Sequence, residues 1–265
     1  MRASARGPRD TGHWTGADFN GILMSLTFRV AAYSDVGRHR TLNEDRYAMA
    51  PDLGLFLVAD GVGGHRQGET ASRLAALAAI EAVSVARKSR LGPGEIVRRA
   101  VELAHSRIGR AAEGASVSDA MGTTLVLALV TPGRRLALAH VGDSRAYLVR
   151  GEEIRRLTED HSWVGELLKR RQITEAAAAG HPHRNVLTKA LGMPGEVLPD
   201  FRELTLQPRD RILLCSDGLT GPLSDQEILS SILQSPRPEA ACCRLVGSAI
   251  EKGGRDNVTA LLLYG

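Results

Sequence analysis

The 265 residues suit one large domain or at most two small ones, and a chain that is 43% apolar but only 4% aromatic must fill its core with Ala, Val, Leu and Ile. Its 34 Lys and Arg stand against 30 Asp and Glu as short pairs, with few aromatics to stack bases, which argues against a nucleic-acid partner. Apolar stretches such as TTLVLALV and VTALLLY fall short of the roughly 20 residues of a membrane-crossing helix, and three cysteines without a C-x-x-C pair fit a reducing cytoplasm, so neither a membrane nor a disulfide framework is expected.

Residues 1–23 lack the apolar core of a secretory signal and are expected to be a disordered extension, with the folded domain spanning 24–265. From there, apolar runs bounded by Gly, Pro or Asp predict strands over 27–33, 53–59, 123–130, 135–141, 144–150, 210–216 and 258–264. Helical periodicity predicts helices over 68–88, 95–113, 161–171, 224–234 and 238–252. Ser224 with Glu227 forms a capping box for the fourth of these, and Gly253 is placed to stop the fifth. The stretch RLALAHVGDSRAYLVR is expected to be an antiparallel hairpin closed at Gly142-Asp143-Ser144. Helices fall in blocks between groups of strands, which favours a layered α+β fold over a doubly wound sheet.

Four of the apolar strands begin or end at an aspartate: Asp60, Asp143, Asp217 and Asp256. Any one of them is explained by a turn, because Asp-Gly is a common turn pair. Four together imply more, since carboxylates gathered at half-buried strand ends repel one another unless hard cations lie between them. Oxygen donors without His or Cys favour Mg or Mn over Zn. The glycines of VADGVGGH (58–65) then let carbonyls and water come close to a cation where a Cβ would obstruct. Two other phosphate-binding readings fail. The dinucleotide pattern meets Arg66 at its third glycine, and the P-loop pattern meets Glu69 where its lysine must stand.

The motifs GRHRTLNED (37–45), VADGVGGHRQGE (58–69), GTTLVLALV (122–130), HVGDSRAYLVR (140–150), LTEDHS (157–162), HPHRNVLTKALG (181–192), LLCSDGLT (213–220) and GRDNVT (254–259) occur in that order. Together they resemble the bacterial branch of the PP2C, or PPM, family of metal-dependent protein serine/threonine phosphatases. The resemblance implies a four-layer α-β-β-α sandwich, two antiparallel sheets flanked by helices, with two Mn or Mg ions at one end. By motif, Asp60 bridges the ions, Asp217 and Asp256 complete the first, the Gly61 carbonyl binds the second, Glu44 holds metal-bound water, and Arg40 clamps the substrate phosphate. The reaction so implied is direct attack on phosphorus by water activated between the ions.

Two positions depart from the family pattern. Val62 stands where many eukaryotic relatives place an acidic histidine, which leaves His65 and His161 as substitutes beside water itself. Gly221 stands where bacterial relatives use an aspartate for a third ion, so a third ion would have to rely on Asp143, Asp217 and water. Residues 163–195 correspond to the flap, and the HPH within it reads as a structural loop. The expected partners are phosphorylated proteins, the targets of a Ser/Thr kinase, met by a cytoplasmic monomer. The alternative, a catalytically silent binder of phosphoproteins, is disfavoured because Asp60, Asp217, Asp256 and Arg40 are all present; a branch acting on anti-sigma-factor antagonists is disfavoured by Arg40.

Overall fold

A computed structural model describes residues 28–62, 66–87, 89–113 and 121–265, and the expected extension over 1–23 lies outside them. Among the described residues, eleven strands make two sheets. The first runs β1(Arg29–Asp35), β11(Val258–Tyr264), β10(Arg211–Cys215), β7(Arg145–Arg150) and β8(Glu153–Arg156). The second runs β2(Asp45–Ala50), β3(Leu55–Val62), β5(Leu125–Thr131), β6(Arg135–Val141) and β9(Asp200–Thr205), with the short β4(Gly122–Thr123) on β3. All pairings are antiparallel.

Alternate residues of each strand serve two cores. Val58, Val126, Leu138, Leu148, Leu214 and Leu261 meet between the sheets. On the outer face of the second sheet, Leu57, Leu127 and Ala139 meet α1(Arg66–Ala86) and α2(Pro93–Ala111), whose Ala71, Ala75, Ala78 and Ala104 are small enough for close approach. On the outer face of the first, Leu213, Ala260 and Leu262 pack on α5(Asp217–Thr220), α6(Asp225–Leu233) and α7(Pro238–Glu251). Burial on both faces explains why the strands read as unbroken apolar runs. The fold is the expected four-layer α-β-β-α sandwich.

The expected hairpin at Gly142-Asp143-Ser144 does not form. β6 pairs with β5 and β9, whereas β7 pairs with β10 and β8, so the three-residue link crosses from one sheet to the other. Strands apolar on both faces carry no alternation to mark their partner, so the short link was misread. Gly142 permits the crossing: its φ is 102°, and a Cβ there would strike Thr124. Strands β2, β8 and β9 also lay outside the expected set, because their half-exposed or exposed positions dilute the apolar signal. The capping box of α6 is present in both directions. Within 163–195 the chain forms α3(Trp163–Lys169) and α4(Glu175–Ala179), shorter than the expected 161–171 helix and followed by irregular backbone.

Candidate metal and phosphate site

The crossing and the strand ends deliver their aspartates to one rim of the sandwich. In the β2/β3 register Asp45 lies opposite Asp60. Asp45 belongs to one sheet but is bound by the other: Ser216 Oγ and Thr259 Oγ1 donate to its Oδ2 at 2.7 and 2.6 Å. This stitch brings the end of β10, and hence Asp217, against the end of β3. Asp60 and Asp217 lie within hydrogen-bonding reach of each other. Burial, then the neighbouring Asp45, Asp217, Asp143 and Asp256, pushes the Asp60 carboxyl well above its ordinary range. Asp143 is raised by burial and by Asp217, and Asp217 by burial and by Asp256. Each thus senses at least one neighbouring carboxylate as a like charge.

Asp45, only 2% exposed, was not among the expected site residues. Burial pushes it up to about 7; the Thr259 and Ser216 hydroxyls oppose this, and Asp217 and Asp256 add to it. Its Oδ1 has no hydrogen-bond partner among the described residues. The signal was the acidic pair Glu44-Asp45 at the start of a strand, which the more apolar strand ends overshadowed.

The loop ahead of β2 brings Glu44 and Arg40. Asn257 holds that loop with its whole side chain: its Oδ1 accepts the Glu44 N–H at 2.8 Å, and its Nδ2 donates to the Val36 and Leu42 carbonyls at 3.0 Å each. Asn257 lies in the GRDNVT motif, and its task is invisible in the sequence because its partners are more than 200 residues away. The Arg40 guanidinium donates to Asp256 Oδ2 at 2.9 Å and stands 3.9 Å from Glu44 Oε2. It remains 47% exposed.

Gly61 is bare for a reason that includes packing. A Cβ there would collide with the Gly68 carbonyl of α1 and the Glu44 carbonyl, and one on Gly68 would press on Glu44 Oε1. These two glycines therefore let helix, strand and Glu44 loop meet backbone to backbone. Gly63, Gly64 and His65 lie outside the described residues. Val62 continues β3 opposite Gly122 and offers no proton. His161 is not gathered to the carboxylates; its ring is enclosed by His140 and Asp200. Gly221 caps α5, its N–H on the Asp217 carbonyl at 2.7 Å, and brings no side-chain oxygen to the rim. In the flap, His181 Nδ1 accepts the His183 N–H at 3.1 Å and closes a local turn.

Whether cations suit this rim is tested by the residues themselves. Oxygen donors, enclosed and mutually repelling, with one buried carboxylate oxygen lacking a partner, present the donor set of a hard divalent ion. The cationic side chain ion-paired at the rim, Arg40, engages Asp256 and Glu44 and leaves Asp45, Asp60 and Asp217 to be neutralised otherwise. The residues fit.

A four-layer sandwich with such a rim at the meeting of its sheets defines the structural class of the metal-dependent phosphatase fold. The sequence pattern of protein phosphatase 2C matches residues 37–245. The chain is 40% identical over 245 residues to serine/threonine protein phosphatase PstP of Mycobacterium tuberculosis, covering 90% of this chain and 45% of that protein. It thus spans about half the length of that relative. It is 38% identical to the serine/threonine phosphatase stp of Listeria welshimeri, covering 87% of this chain and 93% of the relative. The crystal structure of the PstP catalytic domain in complex with 2 manganese ions superposes with a TM-score of 0.77 at 37% identity, covering 89% of this chain and 97% of that one. The chain belongs to the protein phosphatase 2C family.

Proposed function

We propose that this chain hydrolyses phosphoserine and phosphothreonine in proteins by direct transfer of the phosphoryl group to water, with no covalent enzyme intermediate. The observation that carries the reading is the convergence of Asp60, Asp143 and Asp217 on one rim, each raised by burial and by its neighbours. Two Mn or Mg ions would be held by Asp60, Asp217, Asp256 and the Gly61 carbonyl, with Glu44 acting through water and Asp143 open to a third. When bound, such ions lower the pKa of water towards neutrality and neutralise charge developing on the phosphoryl oxygens.

The chain's own residues supply orientation. Arg40 has guanidinium N–H groups beyond the one on Asp256, and its planar fork matches two phosphate oxygens, which a lysine cannot do. Asn257 keeps the Arg40–Glu44 loop in place, so the phosphate is received at a fixed distance from the rim. Since Val62 cannot serve as an acid, the departing Ser or Thr oxygen takes its proton from water. We further infer a cytoplasmic monomer acting on proteins phosphorylated by a Ser/Thr kinase. Two of three cysteines are buried as thiols, and no helix among the described residues is long and apolar enough to cross a membrane.

The test is hydrolysis of a phosphothreonine peptide. Turnover is expected with added Mn and is abolished by EDTA; a folded, Mn-loaded sample without turnover would overturn the reading.

A further inference from the structure

Apart from the rim, the described residues hold a group of His140, His161 and Asp200 whose ligating atoms lie within 4.8 Å of one another. His140 on β6 stands opposite Asp200 on β9, and the His161 ring lies 4.7 Å from the His140 ring, tilted by 33°. Both rings are buried, at 1% and 4% exposure. Burial holds both below the ordinary imidazole range, aided for His140 by His161 and for His161 by Lys189, so both rings are neutral.

A neutral ring carries one proton, and the hydrogen bonds place it. The Gly142 N–H is aimed at His161 Nδ1 at 3.1 Å, so Nδ1 is the acceptor and the proton sits on Nε2, which faces Asp200 Oδ2 at 3.4 Å. A metal at Nε2 would have to strip that proton while Nδ1 stays engaged. A three-ligand metal site is therefore excluded in this arrangement.

His161 joins pieces of backbone instead. Its N–H donates to the Gly142 carbonyl at 2.8 Å, so with the ring contact it makes two bonds to the residue before Asp143. Its carbonyl accepts the Thr188 N–H at 2.9 Å, and the next residue, Ser162, bridges Leu187. A few residues on, Leu191 exchanges backbone hydrogen bonds of 2.8 and 3.1 Å with Thr123, whose hydroxyl donates to the Asp60 carbonyl at 2.8 Å. Residues 187–191 are thus latched at one end, through His161, to the backbone of Gly142 and at the other, through Thr123, to that of Asp60.

We propose that His161 is a positioning residue: its ring, in the Nε2–H form, fixes the Gly142–Asp143 crossing against residues 187–191, so that the rim and the root of the flap are set together. In its kinetic consequence the proposal rests on the phosphatase reading.

The experiment has an arm that needs no turnover. In the full chain with 15N-labelled histidine, NMR is expected to show a bare Nδ1 and a protonated Nε2 at His161, unchanged by added Zn2+. A protonated Nδ1, or a zinc-induced shift at Nε2, overturns the assignment. His161→Asn sets an amide oxygen near the place of Nδ1, whereas His161→Gln reaches towards Asp200 and leaves the Gly142 N–H without its acceptor. Hydrogen exchange at the Gly142 amide should stay slow in the first and become fast in the second. On a phosphothreonine peptide, His161→Asn should keep kcat within about threefold and His161→Gln should lose roughly tenfold or more, the range seen for residues that orient a ligand through another group. Equal losses and equal exchange in the two variants would mean packing alone and end the proposal. An inactive wild type would sink the phosphatase reading, yet the tautomer and exchange results would still decide this one.

Discussion

Two sets of enclosed carboxylates lie close together in this protein and behave in opposite ways. Burial alone would raise Asp160, but Arg145 grips it through Nε and Nη2 at 2.7–3.2 Å and Arg156 binds its other side, so it lies below the ordinary range. Asp60, Asp143 and Asp217 are raised, because burial and neighbouring carboxylates outweigh the partial relief that Arg145 gives the last two. Arg145 makes its hydrogen-bonded ion pair with Asp160 and reaches Asp143 and Asp217 only through space. A carboxylate with its own arginine stabilises the fold; carboxylates only partly compensated are what the proposed cations would neutralise.

The largest break in this contrast is Asp217→Asn. A neutral amide is a poor donor to a hard cation, so Mn-dependent turnover of a phosphothreonine peptide should fall by on the order of 1000-fold, matching the several kcal/mol that metal charge contributes to such a transition state. The metal-free variant should melt no lower than wild type, because one repelling charge has gone. Unchanged turnover would remove Asp217 from the ligand set.

Asp160→Asn should do the reverse. It strands Arg145 and Arg156 without their partner, and urea denaturation should show a loss of about 3 kcal/mol, as when one member of a buried pair is removed. A loss under about 1 kcal/mol would show the pair to be no more than a solvated contact.

Proton linkage sharpens the comparison. Asp45, moved from 3.8 to about 7, binds its proton more tightly folded than unfolded. The unfolded chain therefore holds fewer protons on this group between those values, and the Asp45 contribution to metal-free stability should fall as pH rises from about 4 to 7, while the buried His140 and His161 pull the other way. Asp160, shifted down, contributes stability that is present above its unfolded value and lost as pH falls through the folded one. The rise in melting temperature on adding saturating Mn isolates the rim and should grow from pH 4.5 to 7.5, since cations replace protons there. A Mn-induced stabilisation that does not grow over that window would contradict the repulsion.

The smallest effect belongs to Asn257→Ala. Losing its three bonds frees the Arg40–Glu44 loop, and KM for phosphopeptide should rise roughly tenfold with kcat less affected. A kcat loss at constant KM would instead place Asn257 in support of the rim.

Much of this was legible in the chain. The five longer helices and the most apolar strands announce themselves by period and by boundary residues, and Asp60, Asp143, Asp217 and Asp256 stand out because a charge ending an apolar run is conspicuous. Strands β2, β8 and β9 did not show, since partial exposure erases the contrast. Asp45 and Asn257 were also hidden. Their importance lies in bonds to Ser216 and Thr259, or to Val36 and Leu42, partners so distant in sequence that no local pattern reports them.

By itself the sequence determined the element types, the acidic strand ends and, through its ordered motifs, the family, because these depend on local chemistry read one segment at a time. Tertiary structure alone decided that β6 and β7 part into different sheets, that Asp45 joins those sheets, and that His161 faces the Gly142 backbone rather than the acidic rim. The reason is physical: partner choice among strands buried on both faces, and the charge state of a buried carboxyl, are set by neighbours that only folding brings near.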